Sequence, residues 1–540
     1  VTISIVATLS LTLIGCPPAA PVAEEETTPE EKTTEEPTEA PPELGPVTYV
    51  FNAGTEVPTA DPALAEDSVG IELIEQLFMG LTDLDAENNT VPELATEWTT
   101  SEDGLEWTFK LRDDVTWVQY NCSTGEVEQV LGEDGNPIPV TANDVVYGVR
   151  RTLDPENGSY YAGALFMIKN AKTVFTTEEE TTPELFETIG VEAVDDYTVK
   201  FTLENPAGYF SQIASMWSTF PMPVTAIEGP NKDKWTEPCF MHTCGPYVMS
   251  EWIHGDHYTL IKNPFYPMAD DVQIEKIVAY MIEEASTELA MYENDEIDNT
   301  KVVPLAEMDR IKTDPVLSKE LVIVPRPCTY YYGFCNNKPP FDNHLVRKAF
   351  TASIDRQTLI DTVLKGEQTP ANAFANPAIF GNVAGDPEVG IMYDPEKAKE
   401  YLAEAGYPDG EGLPEVILMH NVSEGHARIA AAIQSMWKDV LNVDVKIETM
   451  EWKVYLTFLK NETPLEDMPH IFRMGWCMDY ADQNNWVHQQ VNNQVSENEM
   501  RRGCLDPNCT KTEELEFDKL TAQAEKEQDP EKRKELYKKA

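Results

Sequence analysis

Basic residues are scarce in this chain. It carries 40 Lys and Arg residues against 95 Asp and Glu residues, which gives a formal net charge of −55 at pH 7. A surface of this sign repels nucleic acid and anionic lipid, so no nucleic-acid partner is expected. The motifs GxxxxGK(S/T), GxGxxG, GxSxG and HExxH are also missing. Their absence weakens nucleotide-driven, α/β-hydrolase and zinc-protease interpretations, although it does not exclude every enzyme.

Long apolar runs are scarce as well. The first sixteen residues, VTISIVATLSLTLIGC, are apolar but too few for a membrane span, which needs about 20 residues. Residues 1–16 resemble the end of a bacterial lipoprotein signal, in which Cys16 becomes the lipidated first residue of the mature protein. The sequence is therefore predicted to begin inside the signal. A buried strand or helix is the alternative for this segment.

Residues 17–46 consist almost entirely of Pro, Glu, Thr and Ala, with nine Glu and one Lys. Such a segment buries too little apolar area to order itself, so it is predicted to be a disordered acidic tether. Anchor, tether and globular body together predict an extracytoplasmic protein that is lipid-anchored to the outer face of the cell membrane.

The remaining chain has the composition of a globular protein. A chain of 540 residues, 41% hydrophobic, is too long for one core, so two or three domains are expected. Alternating β patterns and amphipathic helices follow one another, which favours an α/β fold. One long helix is predicted over 344–366, and the Gly-, Pro- and acid-rich segment 122–139 is predicted to be a hairpin or surface insertion.

The nine cysteines favour disulfides. Without Cys16 the number is even, as expected in an exported, oxidising setting. Cys239 and Cys244 are close in sequence, as are Cys504 and Cys509, so two small disulfide loops are predicted. Four cysteines remain, which are Cys122, Cys328, Cys335 and Cys477. No metal is predicted, although an alternative metal site would combine Cys239, His242, Cys244, His254 and His257.

The segment RMGWCMDY places one acid, Asp479, among apolar and aromatic neighbours, with Arg473 six residues upstream. Charged groups in apolar surroundings are costly unless they are paired. An acid and a base arranged in this way suggest the two ends of a cradle for a ligand that carries both charges. The aromatic run CTYYY, residues 328–332, is a candidate for another wall. A core strand that ends in an acid is the alternative interpretation.

Several motifs resemble, in the same order, those of the extracytoplasmic solute-binding proteins of peptide ABC importers, bacterial family 5, and among them the oligopeptide-binding proteins. They include TADPALA, LFMGL, VPELATEW, DGLEWTFKLRDDV, VTANDVVYGVRRTLDP, CGPYVMSEW, LIKNPFY, PPFDNHLVRKAF, SIDR, EAGYPDG and GWCMDY. Each motif alone is weak, but their shared order across most of residues 47–540 is specific.

The resemblance implies a bilobed α/β fold of the type II periplasmic-binding-protein kind, with an additional inserted domain and the ligand in the cleft between the lobes. Domain I would comprise 47–78 and 204–327, domain II 79–203, and domain III 328–540, with domain III cut short at its C-terminus. The two lobes would close on a buried peptide like a hinge.

The resemblance also implies the roles of individual residues. Asp479 would hold the peptide ammonium, and Glu66 would add an acid after the DPALA motif. The peptide carboxylate would meet a basic side chain, for which the candidates are Arg473, His426 and Lys365. The cavity would be lined by aromatic residues, which are Trp452, Trp476, Tyr330, Tyr331 and Tyr332. Matching cysteines are paired in some relatives, so Cys328 is predicted to bond Cys477, which leaves Cys335 for Cys122.

The function implied is that of a substrate-binding lipoprotein, not an enzyme, which captures short peptides. It would deliver them as a monomer to ABC permease subunits, and indirectly to their ATPase, without a cofactor. Alternatives are a peptide-signal sensor, a receptor for a nickel chelate, haem or oligosaccharide, and an extracellular peptidase or glycosidase. For an enzyme, Asp479 and Asp482 are the only candidate carboxylate pair.

Overall fold

The computed structural model describes residues 46–177, 180–366, 368–460, 463–493, 495, 500–502 and 512–540. The predicted lipoprotein signal with Cys16, nearly all of the tether, and the predicted pair Cys504 and Cys509 lie outside the described residues. None of the helices in the described part of the chain is both long enough and apolar enough to cross a membrane.

The described residues form sixteen strands and sixteen α-helices. The strands are β1 (Thr48–Asn52), β2 (Thr82–Leu84), β3 (Thr90–Pro92), β4 (Ala95–Thr100), β5 (Glu106–Leu111), β6 (Val118–Asn121), β7 (Glu126–Gln129), β8 (Val191–Asp195), β9 (Thr198–Thr202), β10 (Tyr247–Ile253), β11 (His257–Lys262), β12 (Lys276–Tyr280), β13 (Cys328–Phe334), β14 (Val416–Asn421), β15 (Val445–Met450) and β16 (Ile471–Cys477). The helices are α1 (Ser68–Leu77), α2 (Ala142–Thr152), α3 (Ala171–Phe175), α4 (Pro183–Phe186), α5 (Phe210–Ile213), α6 (Val224–Ile227), α7 (Ala285–Glu293), α8 (Met308–Thr313), α9 (Leu317–Glu320), α10 (His344–Ala352), α11 (Arg356–Leu359), α12 (Pro395–Glu404), α13 (Glu424–Leu441), α14 (Trp452–Leu459), α15 (Thr512–Lys526) and α16 (Pro530–Lys539). The described chain also contains two π-helical segments, Ile360–Leu364 and Asn484–Gln489, and a 3-10 helix, Tyr160–Leu165.

Three four-stranded sheets organise the described chain. The first has the order β1-β12-β11-β10, and in it β1 runs parallel to β12, a strand more than two hundred residues away. The second, β4-β5-β9-β8, is antiparallel throughout. The third has the order β13-β16-β14-β15 and mixes one antiparallel pairing with two parallel ones. The result is a mixed α/β architecture, as the sequence predicted.

Local sequence explains these elements. In β5, EWTFKL, the alternating residues Trp107, Phe109 and Leu111 are buried, as expected for a strand with one face on a core. Helix α1 begins after Asp67, whose carboxylate accepts a hydrogen bond from the backbone N–H of Gly70 at 3.1 Å. Helix α2 begins with a capping box between Thr141 and Asp144.

The buried apolar residues form separate cores. A first core runs from Ala53 to Met281 beneath the first two sheets, and it includes Trp476, Tyr480 and Trp486 from much later in the chain. A second core surrounds α13 and contains Phe350 and Trp437. The segment that follows β16 therefore packs back on the first core. The domain boundaries at 78, 204 and 328 stay a prediction.

The helix predicted over 344–366 is interrupted. Helix α10 ends at Ala352, and Asp355 begins α11 by accepting a hydrogen bond from the backbone N–H of Thr358 at 3.0 Å. An aspartate inside a helical pattern can start a new helix, because its side chain satisfies the free N–H groups of the first turn. A hairpin is confirmed in the region predicted over 122–139, but β6 and β7 form it over 118–129.

The disulfides confirm one prediction and correct two. Cys328 and Cys477 are bonded and lie directly opposite each other on β13 and β16. Cys239, however, bonds Cys122 rather than Cys244. The hairpin carries Cys122 there because Val118 pairs with Thr243 through backbone hydrogen bonds of 2.9 Å in both directions.

Cys244 and Cys335 are free and buried, so the Cys239–Cys244 and Cys122–Cys335 pairings are wrong. Cys244 lies in the first core, where its backbone N–H donates to the carbonyl of Leu77. The alternative metal site also fails, because the Cys239 sulfur is consumed in its disulfide. No cluster of three or more metal-ligating side chains occurs among the described residues.

Candidate functional site

The antiparallel pair β13 and β16 builds the centre of the site. Its register sets Cys328 opposite Cys477, Tyr330 opposite Gly475, and Tyr332 opposite Arg473. Because side chains alternate along a strand, these six residues share one face of the sheet. Tyr331 and Trp476 belong to the other face. Tyr331 packs edge-on against Phe374 with ring centroids 5.0 Å apart.

One edge of β16 has no partner strand over most of its length. Strand β14 accompanies it only at Ile471 and Phe472, and no other described strand pairs with that edge further along. The carbonyl of Arg473 points to this side, where it accepts a hydrogen bond from the Tyr455 hydroxyl at 2.7 Å. By alternation, the backbone groups of Gly475 and Cys477 also point to the open edge. An extended chain can pair with them there.

Asp479 lies just beyond one end of this edge, in a group we call the acid end, which consists of Asp479, Asn485, Tyr161 and Trp476. The Asn485 amide donates to Asp479 Oδ2 at 2.8 Å, and the Tyr161 hydroxyl is 3.4 Å from both carboxylate oxygens. The Asn485 carbonyl oxygen accepts from the Asp479 backbone N–H at 3.1 Å and from the Trp476 indole at 3.2 Å. The carboxylate is thus held by neutral donors.

No described Lys, Arg or His forms an ion pair with Asp479. Tyr161 stacks on Trp476 and packs edge-on against Trp217, with centroids 6.1 Å and 4.6 Å apart. Enclosure by these rings disfavours the charged carboxylate, so burial raises the pKa of Asp479 to about 7, against the lowering effect of the Asn485 and Tyr161 hydrogen bonds. A cation placed beside the carboxylate would favour the charged form.

Arg473 is the centre of a second group, the basic end, which consists of Arg473, Tyr330, His420, His426 and Asn421. The guanidinium lies 4.5 Å from the Tyr330 ring centroid and donates from Nη1 to Asn421 Oδ1 at 3.2 Å. Its Nε is buried without a hydrogen-bond partner, and no described carboxylate forms an ion pair with it. The group therefore has unused capacity for an anion.

Burial lowers the pKa of both histidines at the basic end. Burial lowers the pKa of His426 to about 2, and the charge of Arg473 adds to the effect. Burial also lowers the pKa of His420, whose Nδ1 lies 2.8 Å from the Asn421 carbonyl. His426 Nδ1 is 3.3 Å from the Tyr330 hydroxyl. Arg473 thus supplies the positive charge, while His426 and Tyr330 supply neutral polar contacts.

The segment around α1 contacts the α14 region across the site. Glu66 forms an ion pair with Lys460 at 2.9 Å, and burial raises the pKa of Glu66 although Lys460 opposes this. Next to it, Asp67 Oδ2 accepts a hydrogen bond from the Trp452 indole at 2.8 Å. Trp452 therefore joins two distant parts of the chain, in addition to its predicted role as a wall.

Lys365 lies apart from Arg473 and His426. Its ammonium forms an ion pair with Asp309 of α8, and its carbonyl accepts a hydrogen bond from Lys312 at 2.8 Å. The structure thus brings together Arg473, His426, Tyr330 and Tyr332, and separately Asp479 with Trp476. The ligand contacts predicted for these residues, for Glu66 and Trp452, and for Lys365 and Tyr331 stay predictions.

Sequence reasoning missed several residues of the site. Tyr161 and Asn485 are buried partners of Asp479, and Lys460 and Asp67 contact Glu66 and Trp452, respectively. Asp67 carried a local signal as a helix N-cap residue. No local signal marks the others, since their roles depend on segments that are distant in the chain.

Asp482 differs from Asp479 despite being three residues away. It is buried and forms an ion pair with Arg533 of α16 at 2.6 Å, and it accepts a hydrogen bond from the Tyr537 hydroxyl at 2.9 Å. These contacts use both carboxylate oxygens, so Asp482 has a cationic partner, whereas the described partners of Asp479 are neutral donors.

Comparison with known proteins gives consistent matches. The pattern of bacterial extracellular solute-binding proteins, family 5, matches residues 89–498. The oligopeptide-binding protein OppA of Bacillus subtilis is 34% identical over 504 residues, which cover 92% of this chain and 85% of the relative. The solved structure of Haemophilus influenzae OppA in complex with the peptide RPPGFSPFR superposes with a TM-score of 0.77 at 27% identity, and the match covers 92% of this chain and 90% of that chain.

Two solved structures of murein tripeptide-binding proteins named MppA, one of them from Escherichia coli, are each 28% identical to this chain but give different TM-scores. One gives a TM-score of 0.78, with 92% of this chain and 89% of that chain covered. The unliganded open form gives only 0.57, at 92% and 88% coverage. Because the identity is equal and the coverage nearly so, the difference in TM-score reflects how the parts of the molecule are arranged. The present arrangement differs from the unliganded open one.

Proposed function

Because the chain belongs to family 5 of the bacterial extracellular solute-binding proteins, we propose that it captures short peptides outside the cytoplasmic membrane and delivers them to the permease of an ABC importer. Its fold is the multi-domain type II periplasmic-binding-protein fold, as the sequence predicted. The peptide binds in extended form, and the protein contacts the groups that every peptide has.

One observation carries the proposal, namely the open edge of β16 with a charged group at each end. Arg473 and Asp479 are six residues apart, which corresponds to roughly 20 Å of strand, and the long arginine side chain shortens the gap between the charges. Asp479 takes the peptide ammonium and Arg473 takes its carboxylate. The backbone groups of Gly475 and Cys477 pair with the peptide backbone between them.

This arrangement accounts for tolerance of different side chains. A receptor that binds ammonium, carboxylate and backbone uses nothing that differs between peptides. Charge-assisted hydrogen bonds at the two ends provide affinity and orientation. Side chains that alternate away from the strand edge are then free to occupy hydrated space. Glu66, Trp452 and Lys460 close the site from the side of α1 and α14.

The remaining features of the proposal concern location, assembly and chemistry. Cys16 carries the lipid anchor, residues 17–46 are the tether, and the receptor acts as a monomer. The protein performs no covalent chemistry. This is supported by Asp482, the second member of the only candidate carboxylate pair, which is engaged with Arg533 and Tyr537. Domains I, II and III retain the boundaries given above, which the discontinuous first sheet supports.

The test is to identify what the protein binds. Native mass spectrometry of the purified protein should reveal bound short peptides. After their removal, a mixed library of short peptides should raise the melting temperature, because a ligand that binds only the folded protein stabilises it by about 2.7 kcal/mol at 100 times its dissociation constant. A shift produced by a nickel chelate, haem or an oligosaccharide, with none from peptides, would contradict the proposal.

A further inference from the structure

The loop that carries Asp479 is attached to helix α16 through a buried ion pair. Arg533 Nη2 lies 2.6 Å from Asp482 Oδ2, and the side chains of both residues are almost entirely shielded from solvent. The Tyr537 hydroxyl donates to Asp482 Oδ1 at 2.9 Å. The Arg533 guanidinium also lies over the Tyr209 ring, 5.0 Å from its centroid, and Tyr209 stacks on Tyr480.

From Asp482 the contacts lead to Asp479 in two steps. Asp482 Oδ1 accepts the backbone N–H of Asn484 at 2.8 Å, and its carbonyl accepts the backbone N–H of Asn485 at 3.0 Å. The Asp482 side chain thereby fixes the beginning of the π-helical segment Asn484–Gln489. Asn485 then contacts Asp479 twice, as donor to the carboxylate and as acceptor from the backbone N–H.

The need for such a support follows from the geometry of Asp479. Its carboxylate is held by a single amide at 2.8 Å and by the more distant Tyr161 hydroxyl. A buried ion pair formed with a ligand is favourable only when its geometry is good, since desolvation otherwise exceeds the attraction. Displacement of Asn485 would therefore weaken ligand binding at Asp479 even if the fold remained intact.

We infer that Arg533 and Tyr537 are positioning residues for the ammonium site, because they hold Asp482, which orients Asn485 and through it the Asp479 carboxylate. The inference rests on the proposed function, since it assigns to Asp479 the ammonium of a peptide. It gives Asp482 a role that is neither catalytic nor ligand-binding. It also makes α16, which lies outside the binding strands, necessary for recognition of the free amino terminus.

The test compares three substitutions on the same helix. Arg533→Met removes the charge opposite Asp482, and Tyr537→Phe removes a single hydroxyl with little change of shape. Lys538→Met is the matched control, because Lys538 forms its ion pairs with Asp386 and Glu388 at the surface. Calorimetry gives the ratio of the affinities for a free and an N-acetylated form of one short peptide. The rate of amide hydrogen exchange in residues 476–490 of the empty protein measures directly how firmly the segment that carries Asp479 is held.

Arg533→Met should reduce the ratio by about tenfold or more, which is the size expected for loss of a charge-assisted hydrogen bond. Tyr537→Phe should reduce it by about threefold, a smaller effect because the ion pair remains. Both should speed exchange in the loop, whereas Lys538→Met should change neither quantity. If Arg533→Met fails to fold, Tyr537→Phe decides the question alone.

The inference would be overturned if folded Arg533→Met and Tyr537→Phe kept the wild-type ratio of affinities for free and acetylated peptide, even with lower melting temperatures. The ion pair between Arg533 and Asp482 would then serve stability alone. Equal binding of free and acetylated peptide by the wild type would instead overturn the ammonium site itself. Exchange needs no ligand, so in that case it would still show whether Arg533 and Tyr537 fix the loop.

Discussion

The acid end and the basic end of the β16 edge are built differently. Asp479 receives hydrogen bonds from Asn485 and from Tyr161, which belongs to the 3-10 helix Tyr160–Leu165 far earlier in the chain. The partners of Arg473 all come from residues 330–455, within or beside the third sheet. The acid end is therefore complete only when the segment around Tyr161 meets the segment after β16, whereas the basic end is assembled from the third sheet and the helices beside it.

Charge follows the same division. Burial drives Asp479 toward its neutral form in the empty site, because none of the described cationic side chains forms an ion pair with it. At the basic end, burial lowers the pKa of both histidines, and His426, with a pKa of about 2, is neutral beside Arg473. The difference suggests that the acid end fixes one terminus of the peptide and the basic end accepts the other over a range of positions.

The largest expected effect is at the acid end. Asp479→Asn keeps the shape but leaves a bound ammonium without its counter-ion, and breaking a buried ion pair typically costs about 3–5 kcal/mol. The affinity for peptides with a free amino terminus should therefore fall by more than about a hundredfold. Isothermal titration calorimetry measures it, and a loss of less than about threefold would show that the two ends do not differ as described.

At the basic end the expected effect is smaller. Arg473→Met removes the charge but leaves Asn421, His426 and Tyr330 in place, so the affinity should fall by about ten- to a hundredfold, as for loss of a hydrogen bond to a charged group. Lys446→Met is a matched control, because Lys446 lies in the same sheet and pairs with Glu448 at the surface. If Arg473→Met has no larger effect than the control, the carboxylate is bound elsewhere.

The acid end should also make binding depend on pH. With a pKa of about 7, Asp479 is increasingly neutral as the pH falls, and it must lose a proton to hold an ammonium. Between pH 7 and pH 5.5, where the peptide amine stays protonated, the affinity should decrease by about tenfold. His426 of the basic end, whose pKa burial lowers to about 2, contributes no such slope. Asp479→Asn should abolish it, and a slope that persists in that variant would point to another group.

The stability of the empty protein should show the opposite sign. The pKa of Asp479 is raised in the folded state from the ordinary 3.8 to about 7, so the folded state binds more protons than the unfolded state between these values. The contribution of Asp479 to the free energy of unfolding therefore decreases as the pH rises through this window. Between these pH values, the free energy of unfolding measured in urea should fall less, or rise more, with pH for Asp479→Asn than for the wild type, and an identical dependence would contradict the assignment.

The smallest effect is expected at Lys365. Its ammonium is already paired with Asp309 near the surface, and such pairs contribute about 0–1 kcal/mol. Lys365→Met should leave peptide affinity within about threefold of the wild type. A larger loss measured by calorimetry would mean that Lys365 leaves Asp309 to join the basic end when a peptide binds.

Local sequence predicted the parts of the site that share a strand. Arg473 and Asp479 lie in one motif. Tyr330, Tyr331 and Tyr332, however, were predicted together on the cavity wall, whereas the strand register sets Tyr331 on the opposite face from Tyr330 and Tyr332. The Cys328–Cys477 bond followed from a family resemblance, and the register of β13 and β16 explains it.

The parts that join separate segments could not be predicted. Cys122 bonds Cys239 across 117 residues, and only the pairing of the hairpin with Thr243 makes this possible. Asp479 and Asp482 look alike in sequence, but a helix beginning at Pro530 supplies a cation to one and not to the other. Periodicity and spacing carry no information about such contacts, because they depend on how distant segments pack.

The most direct test of the central claim is a set of four calorimetric affinities. The wild type and Asp479→Asn are each titrated with one short peptide in its free and in its N-acetylated form. The wild type should prefer the free peptide by more than about a hundredfold, and the variant should lose most of that preference, because the ammonium and Asp479 act on each other. Equal preference in both proteins would contradict the account and leave Asp479 as a structural acid.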